Sequence, residues 1–578
     1  MINVYISDDT TALSLFADEI ADVISKEAQK RPVDINLTRK GSYGIFSYEP
    51  LIEIENKNGR YFIGPVKPGD IEEMFDGGMF GEDFRGFKVG FNFKSSGGRY
   101  GREMFFGETD GRSGLPGIPM LLSQKRLAFK RAGASRPLSL KDYTGGGGLA
   151  ALKKVAGLKS GGERGDLIIE IIKKSGLRGR GGAGFPVWKK WDAVFREKSG
   201  IKYIVCNADE GDSGAFADRA ILESDPFCVM EGMIIAGITV GAEEGYIYLR
   251  SEYANAGRKI AEAINIFRNE GLLGNENGVL NSGEFFNINL LVGGGSYVCG
   301  EETALLESME NRRGTVKMRP PVPAVSGLYG KPTVLNNVLT FAYATYILSP
   351  DENTDASTGG GGSHVKAQAQ AQFQAKVPAQ DISCNNNAGY FSGLGTEDSK
   401  GTMVFQLSGA VKHPGIYEMP MGITLKELLA LSEGSGGVRR LKAVQIGGPL
   451  GAYFPVNDEF LNLSLSYECL ARKGGILGHG GIVVFGESAD LKHMLLTTLD
   501  FCIDESCGKC SPCRLGSTRI KELAEKVLKK QNIAANLEII KEILEVMKEL
   551  SLCGLGGMLH YPVNSLLKYF GDEILPET

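Results

Sequence analysis

Four cysteines near the carboxy terminus have the types and spacing of a metal centre. Cys507, Cys510 and Cys513 follow one another at C-x-x-C-x-x-C spacing in "DESCGKCSPCRLG", and Cys553 comes later in "SLCGLGG". Three thiolates on one tight loop can bind three corners of an iron–sulfur cubane, which a fourth thiolate from elsewhere completes. We therefore predict a [4Fe–4S] cluster. Tetrahedral zinc is the main competing metal, although Cys₄ zinc sites usually use two separated pairs. Four unliganded thiols are the third alternative.

The remaining cysteines have no such spacing and are predicted to be small buried apolar residues. Cys502 precedes the triplet by five residues and is the one most easily mistaken for a ligand. A chain in a reducing compartment is not expected to carry disulfides. The six residues of this group are Cys206, Cys228, Cys299, Cys384, Cys469 and Cys502.

A glycine-rich segment, "SGLRGRGGAGFPVWKKW", matches G-x-G-x-x-G at Gly179, Gly181 and Gly184. A Rossmann fingerprint requires a strand before it, whereas the preceding "DLIIEIIKKSG" has helical spacing. The segment still predicts a backbone loop that can approach a phosphate or a flat ring closely. A glycine-rich turn with solvated basic residues is the alternative. The basic side chains of the segment are Arg178, Arg180, Lys189 and Lys190.

Acidic and amide side chains follow two further apolar segments. "CNADEGDSGAFADR" comes directly after a strand-like run, and ligands of α/β proteins bind where strands end. "GGGSYVCGEETALLESMENRRG" places two adjacent acids between a glycine loop and an apolar helix, which favours a binding role over a solvated face. The side chains concerned are Asn207, Asp209, Glu210, Asp212, Glu301 and Glu302.

Composition restricts the class of protein. The chain has 578 residues, 42% of them hydrophobic, and a net charge of -5, so we expect a globular protein of several domains without an affinity for nucleic acid or anionic membranes. No apolar run reaches the roughly 20 residues that span a bilayer, and the amino terminus does not resemble a signal peptide. We therefore predict a cytoplasmic protein.

The hydrophobic pattern predicts an α/β protein of several domains. Residues 1–75 have the strand and helix periods of a small α/β unit, whereas 76–114 are a glycine-rich insertion, either a loop or a partner-binding arm. Helical runs alternate with β-branched segments over 115–349, as in an α/β sandwich. A low-complexity stretch at 350–387 has the composition of a flexible linker. Short strands follow over 388–475, and 476–578 form a helical bundle, in which Ile540, Ile543, Leu544 and Met547 make one stripe.

From about Leu115 onwards the chain resembles the flavin-bearing, NADH-oxidising subunit of respiratory complex I and its soluble relatives. Six motifs in family order carry the resemblance: "GLRGRGGAGFP", "NADEGDSGAFADR", "YVCGEETALLESMENRRG", "KPTVLNNV", "SGAVKHPGIYEMP" and "ESCGKCSPCRLG…CGLGG". It implies a Rossmann-like core that binds FMN and NAD(H), a β-grasp domain, and a helical bundle with one [4Fe–4S] cluster. No residue is expected to act as a catalytic acid, base or nucleophile.

The resemblance also implies the cofactor contacts, motif by motif. For FMN they are Gly179, Arg180, Gly181, Lys190, Asn207, Asp209, Tyr297, Gly300, Asn336 and Asn337. For NAD(H) they are Gly182, Phe185, Glu210, Glu301 and Glu302. Arg319 and Val322 replace a lysine and an aromatic residue of the family pattern, and Ala193 also lies where an aromatic is often found. Adenine stacking is therefore expected to be weaker or built differently.

The amino-terminal segments "MINVYISDDTTALSLFADEIADVISKEAQKR", "GSYGIFSYEPLIEIE" and "SQKRLAFKRAG" look like the beta subunit of soluble NAD-dependent formate dehydrogenases. That resemblance implies a thioredoxin-like first domain without cluster cysteines, and residues 1–205 contain none. It implies a hetero-oligomer with a molybdenum- or tungsten-containing catalytic subunit and a small [2Fe–2S] subunit. Electrons would pass through the cluster and FMN to NAD⁺. A complex I subunit, a hydrogenase diaphorase and an adaptor without cofactors are the alternatives.

Overall fold

The computed structural model describes residues 1–31, 33–84, 105–108, 118–274, 276–350, 387–433 and 440–575. These ranges form three β-sheets and a carboxy-terminal group of helices. In this part of the chain, no helix is both long and apolar enough to span a bilayer. The linker expected at 350–387 falls, except for its two end residues, outside the described ranges.

The amino-terminal residues form a mixed sheet. Its strands are β1 (Ile2–Ser7), β2 (Ile35–Lys40), β3 (Ile52–Asn56), β4 (Gly59–Gly64) and β5 (Phe105–Glu108), and its helices are α1 (Thr10–Ser14), α2 (Ala17–Lys30) and α3 (Ile71–Asp76). The strand order is β2-β1-β3-β4-β5. β1 runs parallel to β2, and the other neighbours are antiparallel. The strand, helix and hairpin expected over 1–75 are confirmed.

Two details of this sheet differ from the sequence prediction. The expected continuous helix is broken into α1 and α2, because Phe16 adopts a left-handed φ of 73°. The segment 76–114, expected to be a loop, contributes β5 as the partner of β4. A four-residue strand depends on its distant partner for its hydrogen bonds, so local periodicity does not reveal it. Most of the remaining segment lies outside the described residues.

A parallel sheet in the order β8-β7-β6-β9 forms the centre of the molecule. Its strands are β6 (Tyr203–Ala208), β7 (Glu244–Leu249), β8 (Asn287–Val292) and β9 (Thr333–Asn337). The helices around it are α4 (Pro119–Leu122), α5 (Leu140–Gly145), α6 (Ala150–Ala156), α7 (Gly162–Ser175), α8 (Val187–Arg196), α9 (Ala217–Ser224), α10 (Pro226–Val240), α11 (Ala254–Asn269), α12 (Glu302–Met309), α13 (Pro323–Ser326), α14 (Val338–Leu348) and α15 (Asn387–Gly393). α10 is buried along its whole length because it is apolar on all sides. The alternation expected over 115–349 is confirmed.

The parallel register places the predicted site residues side by side. Cys206 on β6 is opposite Asn336 on β9, and Asn207 is opposite Asn337. Because both strands end there, their polar carboxyl ends lie at one edge of the sheet, where α/β proteins bind ligands. α7 precedes the glycine loop, which confirms the helix predicted there and excludes the ordinary strand–loop–helix fingerprint.

A second mixed sheet follows, in the order β11-β10-β14-β12-β13. Its strands are β10 (Thr402–Gly409), β11 (Gly415–Pro420), β12 (Leu441–Ile446), β13 (Ala452–Pro455) and β14 (Gly481–Gly486), and its helices are α16 (Leu425–Glu433), α17 (Asp458–Leu461) and α18 (Tyr467–Arg472). β10 and β14 are parallel neighbours in its middle. The sheet therefore continues past residue 475, the boundary expected from the sequence, because β14 completes it.

The chain ends in a helical bundle, as predicted. Its helices are α19 (Leu491–Asp504), α20 (Ser511–Leu528), α21 (Ile533–Leu550), α22 (Gly554–Gly557) and α23 (His560–Ile574). On α21, Ile540, Leu544 and Met547 are buried and Ile543 is half-buried against the same core. This arrangement confirms the predicted apolar stripe.

Candidate functional site

A cleft of about 770 Å³ opens where the central sheet, the second mixed sheet and the helical bundle meet. Its walls include the glycine loop, the carboxyl ends of β6 and β9, the turn before α12, and the loop before β14. Cys553 and Gly554 line the same cleft. The structure thus brings the predicted ligand-binding loops next to one of the predicted cluster cysteines.

Backbone approaches closely in the glycine loop between α7 and α8. A Cβ atom added at Gly181 would lie 2.9 Å from Cβ of Asn337. Gly182 has a φ of 119° and forms an isolated antiparallel bridge with Gly478. Larger residues would separate these segments, so the loop can present bare peptide groups to a ligand.

Arg180 corrects one sequence expectation. Its side chain is only 1% exposed and is not part of the cleft wall. The guanidinium donates hydrogen bonds to the carbonyls of Arg178, Lys400 and Thr402, and it lies 5.2 Å from the ring centroid of Tyr343. Because the second mixed sheet supplies these acceptors, the side chain fastens the glycine loop to β10 and does not face a ligand.

The strand ends leave buried polar atoms without protein partners. Nδ2 of Asn207 donates to the carbonyl of Gly300 at 2.9 Å. Among the described residues, Oδ2 of Asp209 and Nδ2 of Asn336 are buried but accept or donate no hydrogen bond. Burial raises the pKa of Asp209 to about 7. Unsatisfied buried groups are costly, so these two atoms point to a bound ligand.

The adjacent acids at the start of α12 are not a solvated face. Oε2 of Glu301 accepts the N–H groups of Thr303 and Ala304 at 2.9 and 3.0 Å, while its Oε1 is buried without a hydrogen bond in the described structure. Glu302 accepts from Lys190 at 3.1 Å and from Arg319 at 2.7 Å. Burial opposes its charge, yet Lys190 and Arg319 lower the pKa of Glu302.

Two aromatic residues line the cleft. The Phe185 side chain is 47% exposed, which leaves its ring available to a flat ligand. The Tyr297 hydroxyl donates to Asp212 at 2.8 Å, and its ring packs edge-on against Phe501 of α19 with 4.8 Å between centroids. A Cβ at Gly211 would lie 2.6 Å from the Tyr297 ring, so glycine is needed there.

The two departures near the expected adenine site have separate fates. Arg319 lines the cleft and pairs with Glu302, whereas Val322 is 44% exposed. Ala193 packs against the central core and is absent from the cleft wall. An aromatic platform is therefore not rebuilt at either position.

Sequence inspection missed two important cleft residues, Asp218 and His479. The His479 imidazole is buried, and its Nε2 lies 3.2 Å from Oε1 of Glu210 and 3.3 Å from Oδ1 of Asp218. Asp218 also accepts from Asn337 at 2.6 Å. A histidine between glycines in "LGHGG" is a usable signal, but its carboxylate partners lie more than 250 positions away and could not be paired with it by pattern.

The cysteines of the predicted cluster lie at the junction of α19, α20 and α22. Cys513 is buried on α20, and Cys507, Cys510 and Cys553 are half-buried. The only set of three or more potential ligand atoms within 4.8 Å of one another in the described residues contains no cysteine. A zinc ion with Zn–S bonds of about 2.3 Å would hold its sulfurs about 3.8 Å apart. The wider spacing fits a cubane and not a single zinc ion.

The other cysteines agree with their predicted structural role. Cys206, Cys228, Cys299 and Cys502 are buried. Cys502 lies on α19, and its thiol donates to the carbonyl of Leu555 at 3.6 Å. Cys384 lies outside the described residues.

Family comparisons match three parts of the chain. Residues 172–345 match the Nuo51 FMN-binding domain, 404–448 the SLBB domain, and 493–577 the iron–sulfur binding region of NADH-ubiquinone oxidoreductase-F. Among curated relatives, NADP-reducing hydrogenase subunit HndC of Solidesulfovibrio fructosivorans is 40% identical over 78% of this chain and 83% of its own length. The F 2 subunit of NADH-quinone oxidoreductase from Rhizobium meliloti is 35% identical over 75% and 93%.

Among solved structures, the NAD⁺-reducing [NiFe]-hydrogenase in its H₂-reduced state matches with a TM-score of 0.63 and 24% identity, over 99% of this chain and 83% of that one. That likeness concerns the fold. Fold and cleft define a flavin-dependent electron-transfer protein. From its relatives, the chain belongs to the family of flavin-bearing, NADH-oxidising subunits of complex I and related enzymes.

The cofactors of this family are FMN, NAD(H) and a [4Fe–4S] cluster, and the residues present fit them. The close backbone approach at Gly181 leaves room for a flat ring, and the buried atoms of Asp209, Glu301 and Asn336 that lack hydrogen bonds in the described structure can bond to ligand groups. At the cluster, a Cβ added to Gly556 would lie 2.8 Å from Cβ of Cys513, so glycine keeps the cysteine loops in place.

A Gly556→Ala variant should lose much of its iron, because the new methyl group would meet Cys513 and also lie 2.4 Å from Oγ of Ser551. Overpacking of this kind costs roughly 1–3 kcal/mol. Iron and sulfide per chain would be measured by chemical analysis. Gly557→Ala is the matched control, since its nearest neighbour would be 3.7 Å away. Equal iron in both variants would contradict this packing argument.

Asp209→Asn should change the pH dependence of stability. The pKa of Asp209 in the folded protein is about 7, above its ordinary 3.8, so this group's contribution to stability falls as pH rises through that interval and is constant above it. The variant should therefore gain in urea midpoint relative to the wild type between pH 5 and pH 8. The exposed Asp398→Asn is the control. A pH-independent difference between Asp209→Asn and wild type would show that the carboxyl titrates normally.

Proposed function

We propose that this chain is the electron-transfer subunit of a soluble NAD-dependent formate dehydrogenase. In this proposal a molybdenum- or tungsten-containing subunit oxidises formate, a small [2Fe–2S] subunit completes the assembly, and this chain reduces NAD⁺. The observation that carries the electron-transfer role is the cleft itself. Its wall joins the glycine loop to Cys553, so a ligand held by the loop would border the cluster site.

Within the cleft we assign two groups of contacts. FMN would be held by Gly179, Gly181, Lys190, Asn207, Asp209, Tyr297, Gly300, Asn336 and Asn337, with Arg180 contributing through its backbone alone. NAD(H) would be held by Gly182, Phe185, Glu210, Glu301 and Glu302. The unsatisfied atoms of Asp209 and Asn336 support the first group, and the buried Oε1 of Glu301 and the exposed ring of Phe185 support the second.

Bound FMN supplies the conversion between hydride transfer with NAD(H) and single-electron transfer with the cluster. The protein's own contribution is positioning. Lys190 is held by Glu302 and by the carbonyl of Leu335, so its charge stays at a defined point of the cleft. The turn before α12 is tied to the bundle, because the N–H of Tyr297 donates to Glu505 at 3.2 Å. These contacts hold the two redox sites at a constant separation.

The formate dehydrogenase assignment draws on the amino-terminal domain. Its strand order β2-β1-β3-β4, with β3 antiparallel to β1, is that expected of a thioredoxin-like domain, and 1–205 contain no cysteine that could ligate a cluster. The second mixed sheet has the order expected of a β-grasp domain. Loops of the first domain contact the core, since Thr10 donates to Glu223 from its N–H at 2.6 Å and from its hydroxyl at 2.5 Å.

A diaphorase subunit of an NAD(P)-reducing hydrogenase is the second candidate. It is favoured by the 40% identity to a hydrogenase subunit, and the structural match to another hydrogenase covers 99% of this chain. Both candidates share the flavin chemistry and differ in the electron donor.

The two candidates are separated by isolating the native complex through this chain. The formate dehydrogenase proposal predicts formate-dependent NAD⁺ reduction together with molybdenum or tungsten in metal analysis. Hydrogen-dependent NAD⁺ reduction with nickel, or with additional iron and no molybdenum or tungsten, would replace it by the second candidate.

Cys507→Ser should separate the two halves of the electron path. We expect the variant to retain most NADH-to-dye activity, which uses the flavin, and to lose at least about tenfold in electron transfer to or from the partner subunits, because a cluster ligand is missing. Cys469→Ser, which changes a half-buried free cysteine on α18, is the control and should keep both activities. Equal loss of both activities in Cys507→Ser would contradict this order of cofactors.

A further inference from the structure

A buried charge cluster lies beneath the glycine loop and has no role in the family motifs described above. It consists of His479, Glu210 and Asp218, which are 6%, 5% and 2% exposed. All three border the cleft. One atom from each lies within 4.8 Å of the others.

The hydrogen bonds fix the protonation of the imidazole. Nδ1 of His479 lies 2.5 Å from the carbonyl of Arg180, which can only accept, so Nδ1 carries a proton. Nε2 faces Oε1 of Glu210 and Oδ1 of Asp218, and two carboxylates hold a proton there as well. His479 is therefore an imidazolium that neutralises part of the charge of the pair. Burial opposes this charge, but the two carboxylates raise the pKa of His479 well above its usual value.

The two carboxylates differ in their capacity for a further proton. Glu210 accepts the N–H groups of Asp218 and Arg219 at 3.0 and 3.1 Å and the hydroxyl of Tyr253 at 3.0 Å. Its oxygens are thus occupied by donors, which also disfavours a metal ion. Oδ1 of Asp218 is buried and, in the described structure, receives no hydrogen bond of good geometry. Burial raises the pKa of Asp218 to about 6.

The other ionisable groups around the cluster do not remove this capacity. Asp212 lies nearby and is bonded to Tyr297, and the Cys206 thiol is held neutral by burial, which raises its pKa. Tyr253 is half-buried, so its bond to Glu210 connects the cluster towards the surface. The side chain of Arg219 pairs with Glu223, away from the imidazole.

Electron transfer in this cleft requires a proton. Reduction of NAD⁺ to NADH consumes two electrons and one proton, which together form the new C–H bond of the nicotinamide. Electrons that arrive singly from an iron–sulfur cluster bring no proton, so water or the protein must supply it. A negative charge entering a low-dielectric cleft also raises the proton affinity of neighbouring carboxylates.

We propose that His479, Asp218 and Glu210 form a proton-exchange site that takes up one proton from water as two electrons enter the cleft and releases it when the C–H bond of NADH forms. In the opposite direction, NADH oxidation returns two electrons to the cluster and one proton to water by the same route. The additional proton resides on Oδ1 of Asp218, the open acceptor. The proposal rests on the cofactors of the family and not on the identity of the electron donor.

Proton uptake during electrochemical reduction of the FMN-loaded protein tests this site. His479→Gln can still donate to the carbonyl of Arg180 but cannot carry a charge. We expect it to take up fewer protons per FMN than the wild type near pH 7, by an amount approaching one, and to lose the corresponding inflection in the pH dependence of the flavin potential. His493→Gln, at an exposed position of α19, is the matched control and should behave as wild type.

Redox-difference infrared spectroscopy provides a readout that a purely structural role would not affect. Reduction of the wild type should produce a carboxylic-acid band that shifts in heavy water and disappears in Asp218→Asn. Absence of that band in the wild type overturns the proposal, whatever the variants do. The proposal also fails if His479→Gln binds FMN and takes up as many protons as the wild type. If His479→Gln does not retain FMN, the wild-type and Asp218→Asn spectra decide.

Discussion

The site depends on the close approach of backbone segments that carry no side chains. Gly182 bridges to Gly478, and Gly181 lies against Asn337 with no space for a Cβ atom. These contacts join the central sheet to the second mixed sheet and create a cleft whose floor is peptide backbone. A flat cofactor can reach such a surface, whereas ordinary side chains would keep it at a distance. The position of the iron–sulfur site at the cleft wall follows, because the bundle packs against the same junction.

Buried charge is the second constraint on this cleft. Asp209, Glu210, Asp218 and Glu302 all lie in or beside it, and each would be costly to bury alone. The protein compensates for some of them by pairing, with Lys190 and Arg319 at Glu302 and His479 at Glu210 and Asp218. Others retain open atoms that await ligand contacts. The acids therefore both bind the cofactors and set the electrostatic conditions under which electrons enter.

Local patterns predicted much of this arrangement. The helix before the glycine loop, the parallel-sheet core, the apolar stripe of α21 and the spacing of the cysteine triplet each depend on residues near one another in sequence, where periodicity is informative. The failures involve distant partners. β5 and β14 need remote strands, and Phe16 breaks a helix through one left-handed residue. Arg180 has acceptors more than 200 positions away, and His479 acquires its meaning only beside Glu210 and Asp218.

The most direct measurement is reconstitution of the purified polypeptide with FMN, iron and sulfide, followed by NADH titration under visible and EPR spectroscopy. The account predicts one tightly bound flavin per chain that NADH bleaches, together with the EPR signal of a reduced [4Fe–4S] cluster on stronger reduction. A protein that folds but shows neither the flavin absorption nor the cluster signal would contradict it.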